Sequence, residues 1–241
     1  MSNAGTLASK RVVITGGGSG IGLATAEQVI KAGGEVVILG RSRERLDAAC
    51  AALGKSSRAM VLDVTNETDV EQCFDQIGAF DHLVTAAAGT LRGNLTTLET
   101  KSARALFESK FWGQHHCAKY AAPRLLRGGS MTFLGGWISR KPMRGLSTLA
   151  AIDGAMESLT RVLALELAPI RVNVIVPGQI DTPLWRARLS KEEQNGYFAK
   201  IATQLPVGRA GRAQDIADAA VFLMLNGFTT GSVLDVDGGQ N

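Results

Sequence analysis

The sequence predicts a single α/β domain: one doubly wound parallel sheet of about seven strands, with helices on both faces. Three observations carry this reading. Short β-branched apolar runs alternate with longer amphipathic stretches along the whole chain. The runs are apolar at nearly every position rather than at every second one, which is the pattern of strands covered on both faces. The chain has 241 residues, 45% apolar and 20% charged, which suits one large core and gives too little net charge for disorder.

The elements follow in order. Arg11–Thr15 (RVVIT) reads as a first strand, and Ile21–Lys31 as a helix ended by Gly33-Gly34. Glu35–Leu39 (EVVIL) is a second strand and Arg43–Leu53 a second helix. Met60–Leu62 is a short third strand. Asn66–Ile77 is a helix capped by Thr65 or Asn66, with Glu67 and Asp69 placed to suit its dipole. His82–Thr85 is the fourth strand. Thr100–Leu126 reads as a long helical stretch broken near Pro123, and Ser130–Leu134 as the fifth strand. Leu149–Leu167 is a strongly periodic helix. Arg171–Val176 is the sixth strand, stopped by Pro177-Gly178. Gln214–Leu225 is a helix and Val233–Val236 the last strand. Nothing interrupts the alternation, so residues 1–241 form one domain. The right-handed crossover rule makes it a Rossmann-type doubly wound sheet. Residues 1–9 are expected to be a flexible N-terminus.

Composition narrows the function. The net charge is +4, and the basic runs at Arg41, Arg43, Arg45 and at Arg140, Lys141, Arg144 lack interleaved aromatics. An anionic small molecule fits this better than nucleic acid. Cys50, Cys73 and Cys117 are odd in number and scattered, so they read as small core residues in a reducing, cytoplasmic setting. No apolar run has the length of a membrane span. His115 and His116 are adjacent on a helix and match no zinc pattern, so they read as structural and no metal is expected.

Glycine is in excess, at 28 residues, or about 12% against a usual level of about 7%. The informative ones follow the first strand: Thr15-Gly16-Gly17-Gly18-Ser19-Gly20-Ile21-Gly22. Gly16, Gly20 and Gly22 allow a tight turn, a close approach of backbone N–H groups to a pyrophosphate, and close helix–strand packing. Gly18, Ser19 and Ile21 complete the loop. Leu23 stands where a Walker loop needs lysine. A dinucleotide is therefore the expected ligand. At the end of the second strand, where an NAD site carries a carboxylate for the ribose 2′-hydroxyl, the chain reads Leu39-Gly40-Arg41-Ser42-Arg43. Two guanidiniums and a hydroxyl suit a 2′-phosphate, which favours NADP(H) over NAD(H).

Over essentially its whole length the chain resembles the short-chain dehydrogenase/reductase family. The resemblance rests on Thr15–Gly22, Leu62-Asp63-Val64, the Asp81–Gly89 strand and loop, Arg171–Pro183 (RVNVIVPGQIDTP) and Gly211–Gly239. It implies that Asp63 and Val64 lie near the adenine and that Ala86, Ala87, Ala88 and Gly89 border the cofactor. It also implies that Pro177, Gly178, Ile180 and Thr182 hold the nicotinamide carboxamide, and that residues 183–205 form a lid over a small-molecule substrate. The long helices imply a homodimer or homotetramer.

The chain departs from this family at its catalytic positions. The Tyr-x-x-x-Lys positions fall on Leu149 and Asp153, the catalytic Ser on Gly136, and the helical Asn on Lys110. Leucine donates no proton, and general acid catalysis is worth about 10²–10⁴-fold. Lys110 and Asp153 are expected to form a charge-swapped pair under the cofactor, with Asp153 accepting from the nicotinamide ribose hydroxyls. Ser147 and Thr148 adjoin Leu149, but helix neighbours point about 100° apart; Lys110, Trp137, Arg140, Lys141, Arg144 and Tyr197 of the expected lid are the other candidate acids. Two functions follow: an NADP(H)-dependent oxidoreductase with a nonstandard active site, or a catalytically silent NADP(H)-binding protein serving as a sensor or assembly subunit.

Overall fold

The computed structural model describes residues 6–87, 89–187 and 190–241. Seven parallel strands form the sheet: β1 (Arg11–Thr15), β2 (Glu35–Gly40), β3 (Ser57–Val61), β4 (Phe80–Thr85), β5 (Leu125–Leu134), β6 (Arg171–Pro177) and, in chain order after two short strands, β9 (Val233–Val236). Their spatial order is β3-β2-β1-β4-β5-β6-β9. The chain winds outward from β1 to β3, then returns to the other side of β1 as β4. The loops leaving β1 and β4 therefore diverge, and a crevice opens at the carboxyl ends of these strands. Thr15 and Thr85 are register partners at its base.

The helices covering the sheet are α1 (Gly20–Lys31), α2 (Arg43–Leu53), α3 (Glu67–Ile77), α4 (Thr100–Phe107), α5 (Gly113–Ala121), α6 (Ser147–Glu166) and α9 (Ala213–Leu225). The two-residue periodicity of the strands divides the core. Val12 and Ile14 point to one side, with Val29 of α1 and Ile216, Ala220 and Leu223 of α9. Val13, Leu83, Met131 and Phe133 point to the other, with Phe74 of α3, Cys117 of α5 and Ile152 and Met156 of α6. Burial on both sides explains why the strands read as unbroken apolar runs.

Three expectations are corrected. The stretch 100–126 is not one helix: α4 and α5 are joined by a π-helical turn at Glu108–Trp112, and a 3₁₀ turn containing Pro123 ends the helical run. β5 then starts at Leu125, because Phe80 of β4 pairs with Leu125 before the register shifts. β3 lies at Ser57–Val61, earlier than expected, pairing with β2 from Val36 onward. Within residues 183–205, the stretch expected to be a lid, lie two helices, α7 (Pro183–Arg186) and α8 (Lys191–Gln204), which neither contradict nor test that expectation. α8 opens with a reciprocal capping box in which the Ser190 Oγ accepts from the Glu193 N–H and the Glu193 carboxylate accepts from the Ser190 N–H. Between α6 and α9 the short strands β7 (Ile180–Asp181) and β8 (Gly211–Arg212) pair with each other. Of the N-terminal stretch expected to be flexible, residues 1–5 lie outside the described residues. Leu7 is packed: it is 1% exposed and donates its N–H to Ala32 O at 2.8 Å.

Candidate active site

The crevice is a cleft of about 950 Å³. Gly16, Gly18, Ser19, Gly20 and Ile21 form one wall. Gly16 has a φ of +69°, and a Cβ there would lie 2.6 Å from the Ala86 carbonyl oxygen, so the two diverging loops touch at a point that only glycine permits. Gly22 does not face the cleft. A Cβ on it would lie 2.3 Å from Gly16 O, so it lets α1 pack against the loop. Ser19 is the N-cap of α1, yet its side chain makes no capping bond and the first turn has no acidic residue. The N–H groups at the start of α1 thus meet the cleft with no side-chain acceptor, as an anion site requires.

Arg41, Ser42 and Arg45 line the next part of the wall. Ser42 caps α2, its Oγ accepting from the Arg45 N–H at 3.3 Å. This corrects the expectation for Arg43, which turns outward to Asp47 (3.8 Å) and does not line the cleft. The guanidinium that joins Arg41 is Arg45. A cap at Ser42 places residue 45 at the third helical position, over the cap, so the sequence did contain this signal. Asp63 also lines the cleft, and its Oδ1 accepts from the Thr65 N–H at 3.0 Å and the Thr65 hydroxyl at 2.9 Å. Val64, Ala86, Ala87 and Gly89 complete this side. Ala88 lies outside the described residues.

Thr182, Pro183 and Leu184 face the glycine loop, and a Cβ on Gly20 would approach Thr182 at 3.7 Å. Pro177, Gly178 and Ile180, expected beside them, are not part of the wall. Ile180 is 4% exposed within the core, and Gly178 packs on the backbone of Asp237. They support the segment that carries Thr182. Glu108 and Ser109, on the π turn, line the inner end together with Leu134; sequence reading had missed both.

Behind that inner end, Lys110 and Asp153 meet. The π turn carries Lys110 inward, where its Nζ forms a buried ion pair with Asp153 Oδ1 and donates to Gly135 O at 3.4 Å. Asp153, on α6, has no exposed surface. Burial pushes its carboxyl above the usual range, Lys110 pulls it down, and Glu157 one helical turn away pushes it up again. Among the described residues its Oδ2 has no hydrogen-bond partner. A Cβ on Gly136 would lie 2.4 Å from that oxygen. The expected charge-swapped pair is therefore present. Neither of its residues lines the cleft. Leu149 packs half-buried against the core.

Gln114, another residue missed in the sequence, holds the π turn in place. Its amide donates to Lys110 O (2.7 Å) and Leu134 O (3.1 Å), and its oxygen accepts from Leu134 N–H (3.2 Å) and the Thr85 hydroxyl (2.5 Å). Its signal was its position one turn beyond Lys110 on the same helical face.

Other candidate acids are engaged elsewhere. Arg140 binds Glu157 and Asp235, and Lys141 donates to Gln240 O. The Tyr197 hydroxyl donates to Gln179 Oε1 at 2.9 Å, and its ring stacks on Trp185. His116 Nδ1 lies 3.2 Å from Val64 O, as a structural histidine should.

A family model described as enoyl-(acyl carrier protein) reductase matches residues 16–241. The chain is 33% identical to a short-chain dehydrogenase/reductase of Stachybotrys chlorohalonatus, over 97% of this chain and 98% of the relative. A solved small-chain dehydrogenase in complex with NADPH is 36% identical, with a TM-score of 0.81 over 96% of this chain and 98% of that one. An NADPH-bound short-chain oxidoreductase from Pseudomonas aeruginosa PAO1, described as containing an atypical catalytic center, is 30% identical, with a TM-score of 0.90 over 96% of each chain. The chain belongs to the short-chain dehydrogenase/reductase family.

Proposed function

We propose that this protein is an NADP(H)-dependent oxidoreductase acting on a small carbonyl compound, or on the corresponding alcohol or alkene. One observation carries the reading. The cleft brings an uncapped helix start and two guanidiniums, Arg41 and Arg45, to one end, with no carboxylate at the exit of β2. These donors fit the pyrophosphate and a 2′-phosphate. The NADPH carried by two similar solved chains supports the same choice.

The first turn of α1 would hold the pyrophosphate, Arg41 and Arg45 the 2′-phosphate, and Asp63 and Val64 would border the adenine. Thr182 would anchor the nicotinamide end. The bound nicotinamide would supply or accept hydride. Exposed Trp112, Val162 and Leu165, on the π turn and α6, support assembly into a homodimer or homotetramer.

Leu149 at the usual tyrosine position supports a second reading, a silent nucleotide-binding protein. Fluorescence titration with NADPH and NADH, followed by turnover against a carbonyl and alkene panel, separates the two. NADPH binding at least tenfold tighter than NADH, with turnover, is the expected result. Binding without turnover leaves the silent reading, and no binding rejects both.

A further inference from the structure

We infer that the substrate has an apolar body and an acid group, carboxylate or phosphate, and that Arg92 and Arg144 bind the acid group at the rim of the cleft beside Leu184. The inference rests on the oxidoreductase reading above and names the class of its substrate.

Three segments leave the carboxyl ends of the adjacent strands β4, β5 and β6, the edge at which open α/β sheets bind ligands. Each holds a large apolar side chain in solvent. Leu95 after β4 is 82% exposed, and Met143 after β5 and Leu184 after β6 are each 43% exposed. Apolar residues scattered singly over a surface are ordinary, whereas a shared apolar rim marks a binding place. Leu184 lines the cleft, so this rim starts at the cleft itself. Gly89 also lines it, and three residues of chain keep the Arg92 Cα within about 11 Å of Gly89.

The three segments are tied together around Arg92. The Gly93 N–H donates to Gly145 O at 2.9 Å, joining the β4 and β5 loops. Gly145 has a φ of +79°, and a Cβ there would lie 3.4 Å from Arg92 Cγ and 3.7 Å from its Nε. The arginine stem thus lies along the β5 loop instead of standing free in water. Tyr197 of α8 approaches from the third segment: burial pushes its phenol up, and the Arg92 guanidinium pulls it down. The Tyr197 ring stacks on Trp185, the neighbour of Leu184, which leads back to the cleft.

The basic side chains of these segments fall into two groups. Arg140 is held by Glu157 and Asp235, Lys141 by Gln240 O, and Arg186 by Asp181. Arg92 and Arg144, one on each side of the Gly93–Gly145 tie, have no carboxylate partner among the described residues. A guanidinium already placed by packing loses little freedom on binding, and its planar fork matches a carboxylate or a phosphate. A substrate whose reacting end enters the cleft past Leu184 would lay its apolar body on the rim and its acid group on these two arginines.

Octanoate and octyl phosphate are the probes, with octanol as the neutral control, titrated calorimetrically into the NADPH-loaded protein so that Arg41 and Arg45 are occupied. One or both acids should bind at least about tenfold tighter than octanol, the lower end of a charge-assisted hydrogen bond. Tighter binding of octanoate alone assigns a carboxylate, and of octyl phosphate alone a phosphate. Arg92→Met keeps the stem and removes the charge, so it should cost the acids about tenfold and leave octanol within about twofold. Arg144→Met should add a smaller loss of the same kind. Met143→Ser should weaken all three probes alike. In turnover, 7-oxooctanoate should show a KM at least about tenfold below that of its methyl ester, and Arg92→Met should erase the difference with kcat little changed, as loss of uniform binding requires. Equal affinity for the acids and octanol, or undiminished acid binding in an Arg92→Met, Arg144→Met protein that is folded by circular dichroism and binds NADPH, would overturn this inference alone. Acid binding through Arg92 without turnover of any carbonyl or alkene would keep the acid site and overturn the oxidoreductase reading.

Discussion

The two ends of the cleft handle charge in opposite ways. At the outer end, donors face open space: the start of α1 has no side-chain cap, and Arg41 and Arg45 line the wall at the exit of β2, where the chain carries no carboxylate. Behind the inner end, two charges are matched within the protein. Lys110 and Asp153 form an ion pair out of water, and among the described residues Asp153 Oδ2 has no hydrogen-bond partner. The outer end requires a ligand to complete it, so its chemistry can be inferred from what is missing. The pair behind the inner end is complete by itself except for that one oxygen, and it names no ligand. This asymmetry explains why the cofactor is far easier to infer than the reaction.

The largest test breaks the inner end. Replacing Lys110 with Met leaves a buried carboxylate without its cation, and should cost about 3–5 kcal/mol in chemical denaturation. Lys110→Met with Asp153→Leu should recover most of that loss, since a buried pair exchanged for apolar residues is often near neutral. Additive single effects would show that the two residues do not act as a pair.

The sheet itself carries a pH effect. His82 lies buried in β4 with Nδ1 2.9 Å from Ser130 Oγ, and burial pushes its pKa down to about 4. A depressed folded pKa means the unfolded state binds the proton first. Stability should therefore be full above pH 6.5 and fall by about 3 kcal/mol as pH drops towards 4. His82→Gln should flatten that slope in urea titrations at several pH values.

At the outer end, Arg45→Ala should weaken NADPH binding by about 1.5–3 kcal/mol, the range of a charge-assisted hydrogen bond, and leave NADH binding unchanged. Arg43→Ala should leave both affinities within about 0.5 kcal/mol. Equal losses for Arg43 and Arg45 would contradict the geometry of α2. The smallest effect belongs to α8: Ser190→Ala removes its capping box and should cost about 1 kcal/mol of local stability, read by hydrogen exchange in that helix.

Attempts to reinstall the usual catalytic set meet the same geometry. Gly136→Ser places a side chain on the Asp153 carboxylate, and Asp153→Lys beside Lys110 sets two ammoniums together. Leu149→Tyr, Asp153→Lys and Gly136→Ser therefore need Lys110→Asn as well before carbonyl reduction on the usual pattern can be expected.

Much of the framework was legible in the sequence because it depends on local periodicity and backbone chemistry. Unbroken apolar runs announced strands buried on both faces, and β1, α2 and β9 fall where those runs placed them. The glycine loop announced itself because close backbone approach excludes other residues. Errors fell where nonlocal pairing prevails over pattern. β5 begins early because β4 provides partners, and helix 100–126 is divided by a π turn that no composition marks. The exchange of Arg43 for Arg45 is of another kind: the Ser42 cap and the i,i+4 pair of Arg43 with Asp47 are local signals that the sequence carried.

The sequence by itself determined the fold, the place of the dinucleotide and the presence of Lys110, Asp153 and Gly136. It did so because period, glycine spacing and residue identity are properties of neighbours along the chain. Only the tertiary structure decided what those three residues do together. The ion pair joins positions 43 residues apart, and the clash that makes Gly136 necessary exists only once α6 is packed beside the end of β5. Glycine at 136 marks a missing side chain in the sequence; in the folded protein that volume holds a carboxylate oxygen.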